Sequence, residues 1–237
     1  LIRWGIGMDS VDHTAAADHG VTVRNTPGVF GGEVADSAMT YILLLARSHH
    51  LIDHDVRAGR WPKVEGISLG DATIGVVGLG DIGMAVASRA LGFGMNVVGF
   101  DPYVAREHVP RRVQVAEDLA TLIGTARFVV LTCPLTPETT HLVNESVLRA
   151  MRSDAFVINV ARGPVVDETA LVAALESGQI AGAGLDVFEQ EPLPSDSPLR
   201  EMPNVVLGSH NGSNTREGVA RASARAVDFL LGELAGS

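Results

Sequence analysis

Residues 74–101 read IGVVGLGDIGMAVASRALGFGMNVVGFD, and this stretch decides the fold. Ile74, Val76 and Val77 form a short apolar run that ends in a glycine-rich turn, where Gly78, Gly80 and Gly83 give G-x-G-x-x-G. The pattern predicts a helix over 81–91 and a second buried strand over 96–100. Asp101 closes that strand, 18 positions beyond Gly83. A glycine-rich turn by itself is common. Set between a strand and a helix, with an acid at this distance, it is the fingerprint of a dinucleotide site. The first glycine allows the tight turn, the second lets backbone approach a pyrophosphate, and the third lets helix pack on strand. The pyrophosphate would meet the free N–H groups and positive dipole at the helix start. Asp101 would accept a hydrogen bond from a ribose 2′-hydroxyl, and its charge would repel a 2′-phosphate, so the stretch points to NAD rather than NADP. The competing reading is an ordinary βαβ unit with a Gly-rich turn.

Beyond Asp101 the strand–helix alternation continues. Strands are expected at 113–115, 128–132, 155–160, 180–185 and 205–207. Helices are expected at 116–123, from the Thr136-Pro137 pair, from Asn144 to Met151, and from Asp167 to a stop at Gly178. A final helix is expected over 215–234. Such repeated units build a doubly wound parallel sheet, with ligands at the carboxyl ends of its strands. Before the fingerprint, strands are expected at 1–6 and 21–24, with a short helix between Asp12 and Gly20 and a turn at Asn25-Thr26-Pro27-Gly28. A long helix over 33–49 is apolar on more than one face around residues 41–46. That breadth predicts deep burial, against a second subunit, and a shorter helix is expected at 51–58.

Composition narrows the function. The chain has 237 residues, 46% hydrophobic, and a formal charge of −10 at pH 7, with no basic block. A nucleic-acid partner is therefore not expected. No apolar run is long enough to span a bilayer, so no membrane partner is expected. Cys133 is the single cysteine, which excludes an intrachain disulfide and fits a reducing, cytoplasmic setting. No metal is expected. The chain opens on Leu1 in an apolar run without a signal-peptide pattern, and its true N-terminus is expected to lie upstream.

Four later strand ends carry polar residues: Cys133-Pro134, Ala161-Arg162-Gly163, Asp186 followed by Glu191-Pro192, and Ser209-His210-Asn211-Gly212. Each has a plain reading, with Arg162 as a surface charge, Glu191 as a solvated acid and His210 as a cap or core histidine. Together they would set a cation, an acid and a titratable base around one crevice.

These motifs, with Gly5-Ile6-Gly7-Met8-Asp9-Ser10-Val11-Asp12, Asn25-Thr26-Pro27-Gly28, Pro134-Leu135-Thr136-Pro137, Asn159 to Gly163 and Leu185-Asp186-Val187-Phe188, give a chain that resembles the D-isomer-specific 2-hydroxyacid dehydrogenases along essentially its whole length, in their phosphoglycerate-dehydrogenase-like branch. The resemblance implies a Rossmann NAD-binding domain over 26–212. Residues 1–25 would be the end of a flavodoxin-like substrate domain, and 213–237 a helix returning toward it. It implies hydride transfer between NAD(H) and a small 2-hydroxy acid/2-keto acid pair, and a homodimer. Catalysis falls on Arg162, Glu191 and His210. The cofactor falls on Gly78, Gly80, Asp81, Ile82, Gly83, Asp101, Pro102, Cys133, Pro134, Thr139, Val160, Ala161, Arg162, Asp186, His210 and Gly212. The substrate falls on Ile6, Gly7, Arg162 and His210. His210 would act as general base, with Glu191 fixing its tautomer and favouring imidazolium, and Arg162 would grip the carboxylate with its fork of donors. Two departures stand out: Thr132 occupies a position where many members have histidine, and Asn211 replaces a more usual apolar residue. Two other readings stay open. One is a regulatory NAD(H)-sensing binding protein of the same fold. The other is an isolated cofactor domain with little activity.

Overall fold

The computed structural model describes residues 1–235, with side chains through 233. Among the described residues, seven parallel strands form one sheet in the order β3-β2-β1-β4-β5-β6-β7. They are β1 (Thr73–Val77), β2 (Asn96–Phe100), β3 (Val113–Val115), β4 (Phe128–Leu131), β5 (Phe156–Asn159), β6 (Gly182–Leu185) and β7 (Val205–Leu207). The order reverses direction at β1, between β2 and β4, and this is the switch point where such sheets bind ligands.

Alternation along the strands explains the two layers. Ile74, Val76, Phe128, Val130 and Ile158 face one core, and Val77, Val129, Leu131, Val157 and Leu185 face the other. The first core is covered by α2 (Gly31–Arg47) and α4 (Asp81–Gly92). The second is covered by α5 (Leu119–Thr125), α6 (Glu145–Ala150) and α7 (Glu168–Glu176). The doubly wound fold expected from the sequence is the one observed. A short α1 (His13–Asp18) and α3 (His49–Arg57) precede the sheet, and α8 (Arg216–Ala235) follows it.

Local chemistry sets the helix starts. Asp12, Asp118, Asn144 and Asp167 each accept a backbone N–H with the side-chain oxygen. The Asp118 cap explains why α5 begins at Leu119 rather than at 116. Gly20 and Gly178 take positive φ just past their helices.

Several expectations fail for identifiable reasons. Among the described residues, 1–6 and 21–24 make a single parallel bridge, Ile2 to Arg24, and no strand, because one bridged pair of short segments is too little to hold a sheet. The Thr136-Pro137 pair starts no helix. Thr139 Oγ1 accepts the Thr136 N–H at 2.8 Å and donates to Pro134 O at 2.6 Å, which closes a turn instead. The long helix ends at Arg47 because Ser48 is left-handed, with φ 51°, and α3 starts at once. Much of its apolar breadth is covered inside the chain: Ala35, Ala38, Ile42 and Ala46 are at most 1% exposed, with α2 packed on β5, β6 and β7 beside α4 on the same face of the sheet, while Leu43 and Leu44 are only half-buried.

Candidate active site

The glycine-rich turn behaves as its spacing demands. Gly78 has φ +92°, and a Cβ there would lie 2.8 Å from the Cys133 nitrogen. A Cβ on Gly83 would lie 1.9 Å from Gly78 O, so only glycine lets α4 sit against the turn. A Cβ on Gly80 would meet nothing within 4 Å, which leaves open space beside the backbone. Gly80 is the N-cap of α4 and supplies no side-chain bond, so the N–H groups at Asp81 and Ile82 face that space without a cap. Asp101 lies across the turn from them. Its Oδ2 accepts the Leu79 N–H at 2.8 Å and its Oδ1 the Tyr103 N–H at 2.9 Å, which fixes the carboxylate beside the turn. An open glycine backbone, an uncapped helix start and an anchored acid fit a dinucleotide, which these residues could hold.

Thr132, the departure noted above, has a role here. Its hydroxyl reaches Gly78 O at 2.8 Å and Val77 O at 3.0 Å, and so ties the end of β4 to the turn. Cys133 is 8% exposed, and burial pushes its thiol up to about 11, so it stays a protonated, unreactive wall at neutral pH. Pro134 and Pro102 are exposed at the same edge. Thr139 sits farther along, with its hydroxyl spent on the Pro134 turn.

The three charged candidates follow the ends of β5, β6 and β7, and two of them, His210 and Glu191, are in contact. His210 Nδ1 lies 2.7 Å from Glu191 Oε2, and Glu191 Oε1 accepts the Phe188 N–H at 3.0 Å. The acid is thus held by backbone on one oxygen and by imidazole on the other, which leaves His210 Nε2 as the free ring nitrogen. Arg162 donates from Nε to Asp9 Oδ1 at 3.0 Å and from Nη1 to Ala161 O at 2.7 Å. Its Nη2 faces Gly7, where a Cβ would lie 1.7 Å away. Gly7 is therefore required for Arg162 to lie where it does. Ile6 presents its carbonyl to Asn25 Nδ2 at 2.7 Å. Val160 and Ala161, each 6% exposed, carry the chain from the end of β5 to Arg162.

Asp186 is not poised as a free acceptor. At 4% exposure, its carboxylate takes the Tyr41 hydroxyl at 3.0 Å and the N–H groups of Asn211 and Gly212 at 3.2 and 2.9 Å. The backbone N–H at the Asn211 departure is thus part of the turn that carries His210.

Three supporting residues escaped the sequence reading. Asp9 partners Arg162. Burial opposes its ionisation, but a backbone hydrogen bond and the Arg162 guanidinium outweigh that and hold its carboxyl below the usual value of 3.8. Asn159, 1% exposed, accepts the Ala161 N–H at 3.1 Å and donates to Arg162 O at 2.9 Å, shaping the Arg162 turn. Gly163 lies against the loop before Glu191: a Cβ there would fall 1.8 Å from the Phe188 carbonyl. A signal was present for each, since all three sit inside the quoted motifs.

A separate cavity of about 270 Å³, lined by His50, Phe156 and Asn204 among others, opens at the opposite, amino-terminal edge of the sheet and shares no residue with this cluster. Among the described residues no group of three His, Cys, Asp or Glu side chains is arranged to hold a metal, and no helix is long and apolar enough to cross a membrane.

Comparison with known proteins agrees with this geometry. Residues 39–212 match the family described as D-isomer specific 2-hydroxyacid dehydrogenase, NAD binding domain. The chain is 44% identical to a glyoxylate/hydroxypyruvate reductase B of Citrobacter koseri, over 98% of its own length and 73% of the relative's. It is 38% identical to a D-3-phosphoglycerate dehydrogenase of Methanocaldococcus jannaschii, with 98% and 46% covered. The solved structure of an NADPH-dependent glyoxylate/hydroxypyruvate reductase from Sinorhizobium meliloti, in complex with NADP and malonate, superposes with a TM-score of 0.89 at 36% identity, covering 97% of this chain and 72% of that one. The chain belongs to the D-isomer specific 2-hydroxyacid dehydrogenases and is an NAD(P)-dependent oxidoreductase of that family.

Proposed function

We propose that this protein reduces a short 2-keto acid of the glyoxylate or hydroxypyruvate class to the D-2-hydroxy acid, with NADH as the preferred partner. The observation that carries the reading is the His210–Glu191 pair standing with Arg162 at the same sheet edge as the glycine-rich turn. The substrate class follows the similarity to glyoxylate/hydroxypyruvate reductases. A phosphoglycerate-type substrate is the second reading, favoured by the Methanocaldococcus relative. Asp101 favours NADH, and here the chain is proposed to differ from its NADPH-dependent Sinorhizobium relative.

When bound, the nicotinamide cofactor supplies or takes up the hydride. Gly78, Gly80, Asp81, Ile82 and Gly83 would hold its pyrophosphate and Asp101 its ribose. Pro102, Cys133, Pro134 and Thr139 would line the adenine side. Val160, Ala161, Arg162, Asp186, His210 and Gly212 would surround the nicotinamide. Arg162 binds the substrate carboxylate and the C2 oxygen through the donors left free by Asp9 and Ala161, with backbone at Ile6 and Gly7 completing the site. His210 Nε2 delivers the proton that the C2 oxygen gains on reduction and recovers it in the reverse direction. Glu191 keeps the Nδ1 side of the ring engaged, so that Nε2 is the end that exchanges protons.

Residues 1–25 are proposed as the end of the substrate domain, 26–212 as the cofactor domain and 213–237 as the returning helix. Trp4 Nε1 donates to Ser223 at 3.2 Å and Arg24 pairs with Glu233 at 2.6 Å, contacts that support the pairing of the two terminal parts. A cytoplasmic homodimer completes the proposal by family resemblance, and sedimentation as a monomer at micromolar concentration would count against the dimer. The deciding experiment is NADH and NADPH oxidation by the full-length protein with glyoxylate, hydroxypyruvate and other 2-keto acids. Turnover of glyoxylate or hydroxypyruvate, faster with NADH, is expected. No turnover of any 2-keto acid, with cofactor-dependent capture of a protein partner instead, would favour the regulatory reading.

A further inference from the structure

The turn that carries His210 is held from beneath by a residue that the proposed chemistry does not use. Tyr41, on α2, is 8% exposed, and its ring runs through a slot that two glycines leave open. A Cβ on Gly184 would lie 2.7 Å from Tyr41 Cβ, and a Cβ on Gly208 would lie 2.0 Å from the Tyr41 hydroxyl oxygen. The hydroxyl emerges against Asp186 and donates to Oδ1 at 3.0 Å. Asp186 in turn holds three consecutive backbone N–H groups. Its carbonyl accepts from His210 at 2.6 Å, and its carboxylate accepts from Asn211 and Gly212.

We infer that Tyr41 is a positioning residue for His210: its hydroxyl fixes the Asp186 carboxylate, and that carboxylate fixes the turn that aims the imidazole. The inference rests on the reading of His210 as the proton-transfer group. Packing of the ring alone does not explain the arrangement, because the clearance at Gly208 brings the hydroxyl oxygen, an atom a phenylalanine would not have, and Asp186 Oδ1 together: a Cβ there would lie 2.0 Å from the one and 2.4 Å from the other. An aspartate side chain turns readily about its last torsion, so a buried carboxylate takes the orientation its donors impose. Without the Tyr41 hydroxyl, Oδ1 keeps only the longer Asn211 contact, and rotation toward other donors would pull on Asn211 and Gly212. His210 is sensitive to such a pull. Its φ of 56° is a left-handed conformation that a non-glycine residue adopts only when its surroundings hold it there. Burial, and then the adjacent Asp186 charge, keep the Tyr41 phenol well above the usual tyrosine range, so it remains a donor throughout the working pH range.

The test is Tyr41→Phe in the full-length protein, alone and combined with His210→Ala. Ring-nitrogen NMR of ¹⁵N-histidine-labelled protein, with His210 assigned by the signals lost in His210→Gln, reads the tautomer directly. The parent should show His210 protonated on Nδ1, facing Glu191, and Tyr41→Phe should move its ring shifts toward a tautomer average. With NADH and glyoxylate, Tyr41→Phe should lower kcat about 10-fold, the scale of one lost hydrogen bond to a charged group, with little change in the KM for NADH. That loss should vanish in the His210→Ala background, because the two substitutions act on one group. Unchanged His210 ring shifts, or an equal kcat loss in both backgrounds, would overturn the inference and leave Tyr41 as packing. If His210→Ala alone is fully active, the assignment of His210 as proton-transfer group fails, while the ring shifts still report whether Tyr41 positions it.

Discussion

Asp9 and Arg162 lie 153 residues apart in the chain, yet Arg162 Nε donates to Asp9 Oδ1 at 3.0 Å in a half-buried ion pair. With Nη1 tied to Ala161 O, the guanidinium plane is fixed on two sides and Nη2 is left facing Gly7. Lysine could supply the charge but not the planar fork. Arg162→Lys is therefore expected to lower kcat/KM for the keto acid about 100-fold, the scale of losing two charge-assisted hydrogen bonds, with NADH binding little altered. Steady-state kinetics beside NADH fluorescence titration separates the two, and parental kinetics would remove Arg162 from the site.

The same pair makes stability depend on pH in a definite direction. The folded Asp9 carboxyl titrates below its ordinary value of 3.8. A depressed folded pKa stabilises the native state above the unfolded value, and that contribution disappears as pH falls through the folded one. Asp9→Asn is expected to be less stable than the parent in urea at neutral pH, with the gap closing below about pH 4. A gap that stays constant from neutral to acid pH would show that the ion pair contributes nothing.

His210→Ala is expected to lower kcat at least about 100-fold, as for loss of a general acid–base group, while NADH still binds. Glu191→Gln is a poor mimic of glutamate here. Both Glu191 oxygens serve donors, the Phe188 N–H and the His210 ring, so an amide must turn its NH₂ toward one of them. A kcat loss of about 10-fold or more is expected, and kinetics equal to the parent's would contradict a role for the Glu191 charge.

Asp101→Ala tests the cofactor preference. The ratio of kcat/KM for NADH over NADPH should fall, since the charge that opposes a 2′-phosphate is gone. The substitution also strips acceptors from the Leu79 and Tyr103 N–H groups, so a stability loss of about 1–2 kcal/mol should accompany it. An unaltered cofactor ratio in a destabilised protein would make Asp101 purely structural.

The sequence carried what is local and periodic. The runs at 96–100, 113–115 and 205–207 coincide with strands β2, β3 and β7 because each apolar run is flanked by turn chemistry. The glycine fingerprint was legible because each glycine answers a separate steric demand, now visible at Gly78 and Gly83. Contacts between distant segments were not legible. Nothing in the spacing of Asp9 says that it meets Arg162, and nothing in Tyr41 says that it reaches Asp186. The apolar breadth of α2 was legible, but its cover was not, because a helix packed on a sheet and along a neighbouring helix reads the same as one packed against a second subunit. Segments 1–6 and 21–24 have strand-like composition, but among the described residues they form one bridge, which composition alone does not distinguish from a sheet.

Gly163 offers a test of the site by geometry alone. It follows Arg162 and precedes no charged group of its own, yet a Cβ there would fall 1.8 Å from both the carbonyl carbon and oxygen of Phe188 and 2.4 Å from the Glu189 nitrogen. These are backbone atoms on both sides, so no side chain can swing away to make room. Gly163→Ala must push the Arg162 turn and the 188–191 loop apart, and that loop carries Glu191 and, through it, the orientation of His210. Overpacking of this kind costs about 1–3 kcal/mol. The displacement should cost more activity than stability, because proton transfer and carboxylate binding sit on opposite sides of the wedge. The expected result is a folded, NADH-binding protein with kcat/KM for the keto acid reduced at least about 10-fold, the scale of disturbed positioning. Thermal unfolding, NADH titration and steady-state kinetics on the same preparation would check it, and a variant with parental kcat/KM would show that the two loops do not form one site.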